Sequence, residues 1–306
     1  MATLYFPQVL ADIITKATSM HQEDRIAHTA NCTAIIDCNN ILRMSSNPLE
    51  LGNPESIFSS TKVAKVFSLH QDIILLTVEG HIMGLDGTIY FENTDIVDIV
   101  CILDVHHTTY CLQANGNVLS WDRETNELTP TKLQNIVRIS ARIEAVIFLR
   151  TDGKILDERM EIHISDENII DVVMNNYFLV TLKVNGTLEC HNTQIGMFRE
   201  KTSQIVKDTL KSFTNIKSLL SSLHADLIFI RDDNKIVVMG SNSHCQLGLY
   251  KSYDGLPMIH SDVKDIITGT CSDNSTYLVT KQGELLYAGV LNKGIDKFTL
   301  IPNVTM

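Results

Sequence analysis

Apolar residues in this chain come in short continuous runs, paired across a small polar turn, and the pair returns seven times. The turns fall at Asn39-Asn40, Glu79-Gly80, Asn115-Gly116, Asp152-Gly153, Asn185-Gly186, Asp233-Asn234 and Gln282-Gly283. Successive second turn residues lie 33 to 49 residues apart. Strand hairpins repeating at a period of about 40 mark a propeller or solenoid. The first run of each pair is nearly unbroken, as in Ile73 to Leu76, Val146 to Leu149, Phe178 to Val180 and Leu227 to Ile230. Such runs predict strands covered on both faces, because a sheet with one wet face would alternate apolar and polar. Asn-Gly and Asp-Gly predict two-residue hairpin turns, since both positions tolerate positive φ.

Another short apolar strand precedes most hairpins, at 63–67, 96–101, 136–139, 169–173, 216–220 and 263–267. The expected fold is all-β: a seven-bladed β-propeller with blades of about four antiparallel strands, each covered by its neighbours. One domain over 1–306 is expected, with blades near 21–60, 61–95, 96–135, 136–168, 169–214, 215–262 and 263–306. Strands nowhere alternate with convincing 10–15-residue helices, which counts against a doubly wound or TIM-type fold. Residues 198–213 carry Ile205, Val206, Leu210 and Phe213 at near-helical spacing, so an inserted helix and an outer strand with a long loop are both open. The ring must close. Phe6 to Leu10 resembles Leu300 to Val304, and one of the two is expected to supply the outer strand of the closing blade. Residues 1–20 are expected to help, with a short helix over 10–20 as the alternative.

The clearest unit is 226–249, which ends Met239-Gly240-Ser241-Asn242-Ser243-His244-Cys245-Gln246-Leu247-Gly248. It resembles the repeat of the regulator of chromosome condensation (RCC1-like) family, which ends Trp-Gly-x-Asn-x-x-Gly-Gln-Leu-Gly. Gly240, Asn242, Gln246, Leu247 and Gly248 match; Met239 replaces the aromatic and Cys245 a glycine. Weaker echoes stand at Ser46 to Gly52 and Gly289 to Gly294. The resemblance implies a seven-bladed propeller and a protein-binding role. Gly240, Asn242, Gln246, Leu247 and Gly248 are expected to link blades rather than hold a ligand.

Lys and Arg number 25 against 36 Asp and Glu, a formal net charge of −11. That balance argues against general nucleic-acid binding. Seven cysteines, odd in number and without Cys-x-x-Cys, fit reduced thiols and a cytoplasmic or nuclear setting. The first residues carry no basic segment followed by an apolar one, so no secretory leader and no membrane association are expected. Eroded repeats suggest a diverged copy of the kind that intracellular pathogens and large DNA viruses deploy in host cytoplasm.

The chemistry-bearing pairs have bland explanations. Cys101, His106, His107 and Cys111 lack the spacing of a zinc finger, so no metal is expected. Cys190-His191 and His244-Cys245 are neighbours in sequence, and neighbours on a strand point to opposite faces. Asp157-Glu158, Asp166-Glu167 and Asp232-Asp233 read as solvated hairpin ends, and Arg138 with Arg142 as a solvated strand edge. No catalytic residue and no cofactor are expected. The expected function is a non-enzymatic interaction scaffold or adaptor with a protein partner. The alternative is a guanine-nucleotide exchange factor for a Ran-like small GTPase, the activity of the family's founding member. A glycan-binding or enzymatic propeller is disfavoured by the single Trp and 6% aromatic content.

Overall fold

A computed structural model describes residues 25–28, 33–36, 40–45, 61–69, 72–102, 108–142, 145–175, 178–191, 204–221, 226–240, 242–249, 255–271, 274–289 and 297–305. Their strands form antiparallel sheets that follow one another along the chain, over 26–45, 63–91, 96–130, 136–165, 169–191, 216–259 and 266–305. Five sheets have four strands; the first and fifth have three. Within every sheet the strands pair in chain order, so each is a simple meander. The first strands of neighbouring sheets touch one another, which puts them innermost, around a common axis. The chain is thus an all-β propeller.

The expectation of seven blades of about four strands is corrected in number to six full blades. Six sheets open on an innermost strand of six or seven residues and are full-sized blades. The sheet at 26–45 is short, with strands of three, four and four residues. In the fifth blade the third strand, Leu188–His191, is flanked by the helix Gln204–Ser212 rather than by a fourth strand. Val206 and Leu210 of that helix enter the core beside Leu188 and Cys190. Ile205, on the opposite side of the helix, is exposed. The near-helical spacing was the correct signal of the two left open.

The core is divided among the sheet interfaces. One apolar cluster lies between each neighbouring pair of sheets, which is why the middle strands are buried on both faces. A further cluster joins the ends of the chain: Ile26 and Ile35 pack on Tyr277, Val279, Leu285, Tyr287 and Ile301. Thr33 Oγ1 and the Tyr277 hydroxyl share a hydrogen bond of 2.8 Å across the same joint. Leu300 to Val304 does form an outer strand, Thr299–Thr305, paired with Glu284–Gly289. Phe6 to Leu10 and the rest of 1–20 lie outside the described residues. The strand expected at 263–267 begins three residues later, at Ile266, and runs to Cys271.

The hairpin turns differ from the two-residue form. In the six turns with both residues described, only the second is left-handed. Gly116 N–H donates to Gln113 C=O and Gln113 N–H to Asn117 C=O, closing a three-residue loop: a type I turn with a left-handed residue after it. The first turn residue supplies an acceptor instead of a special φ. Asn115 Oδ1 takes the amide of Asn117, and Asn185 Oδ1 that of Thr187.

The left-handed residue also ties sheet to sheet. Its carbonyl accepts an amide from the chain entering the next blade: Val63 N–H to Asn40, Thr94 to Gly80, Ile136 to Gly116, Asp166 to Gly153, Ile216 to Gly186 and Ile266 to Asn234, at 2.8–3.3 Å. Each such bond contributes about 1 kcal/mol net. Gly153 is the tightest of these joints. A Cβ there would clash with the Asp166 carbonyl.

Candidate functional site

Two polar constellations sit where a propeller ordinarily meets a ligand or partner: a collar on the innermost strands, and the segment 240–249 between the sixth and seventh sheets. The collar is built by a repeated irregularity. In each of the six full blades the ladder between first and second strands slips by one residue, at 63/65, 96/98, 136/138, 169/171, 216/218 and 266/268. A bulge leaves one residue unpaired and re-aims the side chains beside it. The residues just after the slip are Lys65, Asp98, Arg138, Asp171, Ser218 and Thr268, polar in every case.

Three of the four collar charges, Lys65, Arg138 and Asp171, are met by neighbouring blades. Lys65 Nζ donates to the Val97 carbonyl at 2.9 Å, joining the second and third sheets. Arg138 Nε lies 3.3 Å from Asp171 Oδ1, joining the fourth and fifth. Burial pushes the Asp171 carboxyl above the usual carboxylate range, while Arg138 and the Val172 amide pull it back. A buried pair of this kind is costly to break, because removing one partner strands the other's charge. Arg142 is fully buried on the same strand. The expectation of a solvated basic edge at Arg138 and Arg142 is therefore corrected: that strand is innermost, and the edge faces a neighbouring blade.

The segment 240–249 is a compact knot. Gly240, Asn242, Cys245 and Gly248 all have positive φ. Asn242 Nδ2 donates to the Leu249 carbonyl at 2.9 Å, and Asn242 Oδ1 accepts the Leu247 amide at 2.9 Å. Gln246 Oε1 accepts the His244 amide at 2.8 Å. Both residues converge on Asp226, at the entrance to the sixth sheet's second strand. Its carboxylate accepts the Asn242 amide at 3.2 Å and Gln246 Nε2 at 2.6 Å. Leu247 plugs the core between sixth and seventh sheets, with Ile228, Val263 and Leu278. Gly248 packs against Phe298, where a Cβ would clash with the ring.

His260 braces the knot from the end of the sixth sheet's outer strand. Its Nε2 lies 3.1 Å from the Gly248 carbonyl, and its Nδ1 accepts the Asp262 amide at 3.2 Å. Those two partners require neutral imidazole with the proton on Nε2. Burial accordingly lowers its pKa below the ordinary histidine value. The structure thus brings Gly240, Asn242, Gln246, Leu247 and Gly248 together, each engaged with the chain itself. Sequence reasoning missed Asp226 and His260. An acid opening an otherwise apolar strand was the available signal for Asp226.

The other pairs are taken apart. Cys190 faces the core while His191 Nε2 bonds Thr181 Oγ1 at 3.0 Å. Cys245 is buried in the knot behind His244. Burial pushes the Cys111 thiol up to about 12. His106 and His107 lie outside the described residues. Asp166 is held at about 2 by the Asn168 amide and Lys183, and Asp233 faces Arg231 and Lys235.

No family model and no curated protein matches the chain. Solved structures do. The CRINKLY WD40 ectodomain of the Arabidopsis thaliana receptor kinase ACR4 superposes with a TM-score of 0.58 at 11% identity, over 91% of this chain and 98% of that one. PorZ of the Porphyromonas gingivalis type-IX secretion system gives 0.57 at 10% identity, over 93% of this chain but only 38% of its own length. Yeast RCC1 (Prp20), in its complex with Kap60, gives 0.42 at 15% identity over 87% and 67%, a fit too loose to argue from. At these identities the likeness establishes the propeller fold.

Proposed function

We propose that this chain is a non-enzymatic interaction scaffold, built as a diverged RCC1-like propeller in which the short sheet at 26–45 serves as the seventh blade. The observation that carries the reading is the location of apolar side chains left in solvent. Of the eleven exposed large apolar residues among the described ones, five, Ile89, Ile162, Met258, Ile259 and Leu300, stand on the outermost strands of four different blades; the others lie in turns, on the helix Gln204–Ser212 and, for Ile267, on an innermost strand. Of the inner polar groups, Lys65, Arg138 and Asp171, by contrast, are engaged with neighbouring blades. A perimeter of strand edges bearing apolar residues suits a protein partner. The one Trp does not suit a glycan, since Trp121 is buried against Tyr90 and Phe91. A propeller of comparable similarity, TM-score 0.51, belongs to a structure of the mitotic checkpoint complex. The five described cysteines are buried and none is joined to another of them by a disulfide, which suits a reducing compartment, cytoplasmic or nuclear.

The RCC1-like part rests on the knot at 240–249, where the matched residues keep a coherent hydrogen-bond set despite Cys245. The same knot keeps the second reading in play: exchange on a Ran-like small GTPase. One assay separates them. Release of labelled GDP from the GTPase is followed with this chain at catalytic concentration. No acceleration, with a partner retained by the wild-type chain and lost from an Ile89→Lys/Ile162→Lys variant, supports the scaffold. Acceleration overturns it in favour of exchange.

A further inference from the structure

The hairpin between the third and fourth strands of the fourth blade carries three side chains that neither the collar nor the knot uses: Asp157, Glu161 and His163. Asp157 closes the strand Lys154–Asp157, and the chain returns in Ile162–Ser165. Met160, left-handed at φ 67°, closes the loop between them. The returning ladder slips, with Leu156 opposite Ile162 and Ile155 opposite Ile164. His163 is the extra residue, and the bulge turns it toward Asp157. Its Nε2 lies 3.1 Å from Asp157 Oδ2. The other oxygen, Oδ1, accepts the amides of Arg159 and Glu161, both at 2.9 Å. The carboxylate is therefore fixed, with Oδ2 presented to the imidazole. One ligand atom from each of the three residues falls within a 4.8 Å cluster.

We propose that Asp157, Glu161 and His163 form a binding site for a divalent transition cation, Zn2+ being the first candidate. No metal was expected from the sequence, where Asp157-Glu158 read as a solvated acidic pair. One imidazole nitrogen and two carboxylates make a donor set for a borderline ion; Mg2+ and Ca2+ favour oxygen alone. The ion would neutralise both carboxylates, of which Asp157 is bonded to the histidine. Ligation at about 2.0–2.2 Å requires the cluster to contract, and exposed Glu161 is the side chain placed to swing in. Glu161 and the partly exposed His163 leave the remaining coordination positions to water or to a partner's side chain.

The loop's backbone does not need Glu161 or His163. The second blade builds the same loop with Gly84 and Thr88 at the positions of Asp157 and Glu161, and there the Asp86 carboxylate takes the Thr88 amide. There Gly87 N–H donates to Gly84 and Gly84 N–H to Thr88, as Met160 does to Asp157 and Asp157 to Glu161. Asp157 Oδ1 braces its turn as Asp86 does, whereas Asp157 Oδ2 and the Glu161 carboxylate are additions to it.

The test is titration of the chelator-treated full chain with Zn2+ by calorimetry and with Co2+ by absorption, alongside His163→Ala and Glu161→Gln. Both substituted positions are surface-accessible, and far-UV circular dichroism checks that the variants fold. The expected result is one saturable site, weakened at least about tenfold in each variant, as loss of a metal ligand or its support typically does. Equal affinity in wild type and His163→Ala, a thiolate-to-cobalt charge-transfer band, or Mg2+ binding as tight as Zn2+ overturns it.

Discussion

Asp226 is the side chain on which the linking knot is expected to depend most. Its carboxylate, 1% exposed, holds the Asn242 amide at 3.2 Å and Gln246 Nε2 at 2.6 Å, and both donors' residues are as buried as it is. Asp226→Ala removes the acceptor and leaves two buried donors without it. Each stranded donor costs about 1–3 kcal/mol, so the substitution should destabilise by about 4 kcal/mol. Gln246→Ala removes the donor to Asp226 Oδ2 and the acceptor of the His244 amide, and should cost about 3 kcal/mol. The two effects are not independent. A charge-assisted bond of 2.6 Å should appear as a coupling of about 1.5–3 kcal/mol in the double-mutant cycle.

Urea unfolding of wild type, both single variants and the double variant measures the cycle, with circular dichroism and Trp121 fluorescence as paired probes. Coincident transitions and a common m-value are required before the free energies are compared. The double variant should be less stable than Asp226→Ala alone by no more than about 1.5 kcal/mol. Strict additivity, or a cost below about 1 kcal/mol for Asp226→Ala, would refute the argument that the carboxylate organises the knot.

Backbone strain gives opposite signs at two turns. Met160→Gly should stabilise by about 1 kcal/mol, because Met160 is left-handed and 44% exposed and little packing is lost; Gly153→Ala should destabilise by at least about 2 kcal/mol through the clash with Asp166. Thermal melts of the pair read both, and a loss in the first or a gain in the second would contradict the turn assignment. Cys111, buried with its thiol pushed to about 12, should stay unlabelled by a thiol reagent in the native chain and react fully in denaturant; native labelling would show that the third blade opens. His260 should make the chain acid-sensitive. Its folded-state pKa lies below the unfolded value of 6.5, so the unfolded chain binds the extra proton and stability falls as pH drops through and below 6.5. His191, also lowered by burial, acts in the same direction. His260→Gln, whose amide can still donate to the Gly248 carbonyl, should flatten part of that slope in unfolding free energy measured from pH 7.5 to 5; an unchanged slope would sink the assignment.

The blade repeat was legible because two physical constraints write it directly into the chain. A middle strand covered on both faces must be continuously apolar, as 146–149 and 227–230 are. A tight connection needs a residue tolerant of positive φ, and Asn40, Gly80, Gly116, Gly153, Gly186, Asn234 and Gly283 supply one at every hairpin. The turn type was not legible, since Asn-Gly satisfies either a two-residue turn or a type I turn with a left-handed residue after it. Hydrogen bonds to the next blade favour the second by giving the left-handed carbonyl an amide to accept. Arg138 and Arg142 were misread for a related reason. Charge suggests solvent, and only the ring arrangement shows that a polar residue after an inner-strand bulge meets a neighbouring sheet.

The candidate chemistry was least legible because it depends on register. Asp157, Glu161 and His163 are unremarkable at spacings of four and two; a single slipped residue in the ladder makes them one cluster. The knot shows the reverse case. Its residues were conspicuous in sequence, yet their polar groups are engaged within the chain, and the two side chains that anchor it, Asp226 and His260, carried no motif at all. In a propeller the repeated residues hold blades together. Departures from the repeat are therefore where specificity should be sought, and in this chain those departures are the fourth-blade hairpin, the helix Gln204–Ser212 and the apolar perimeter.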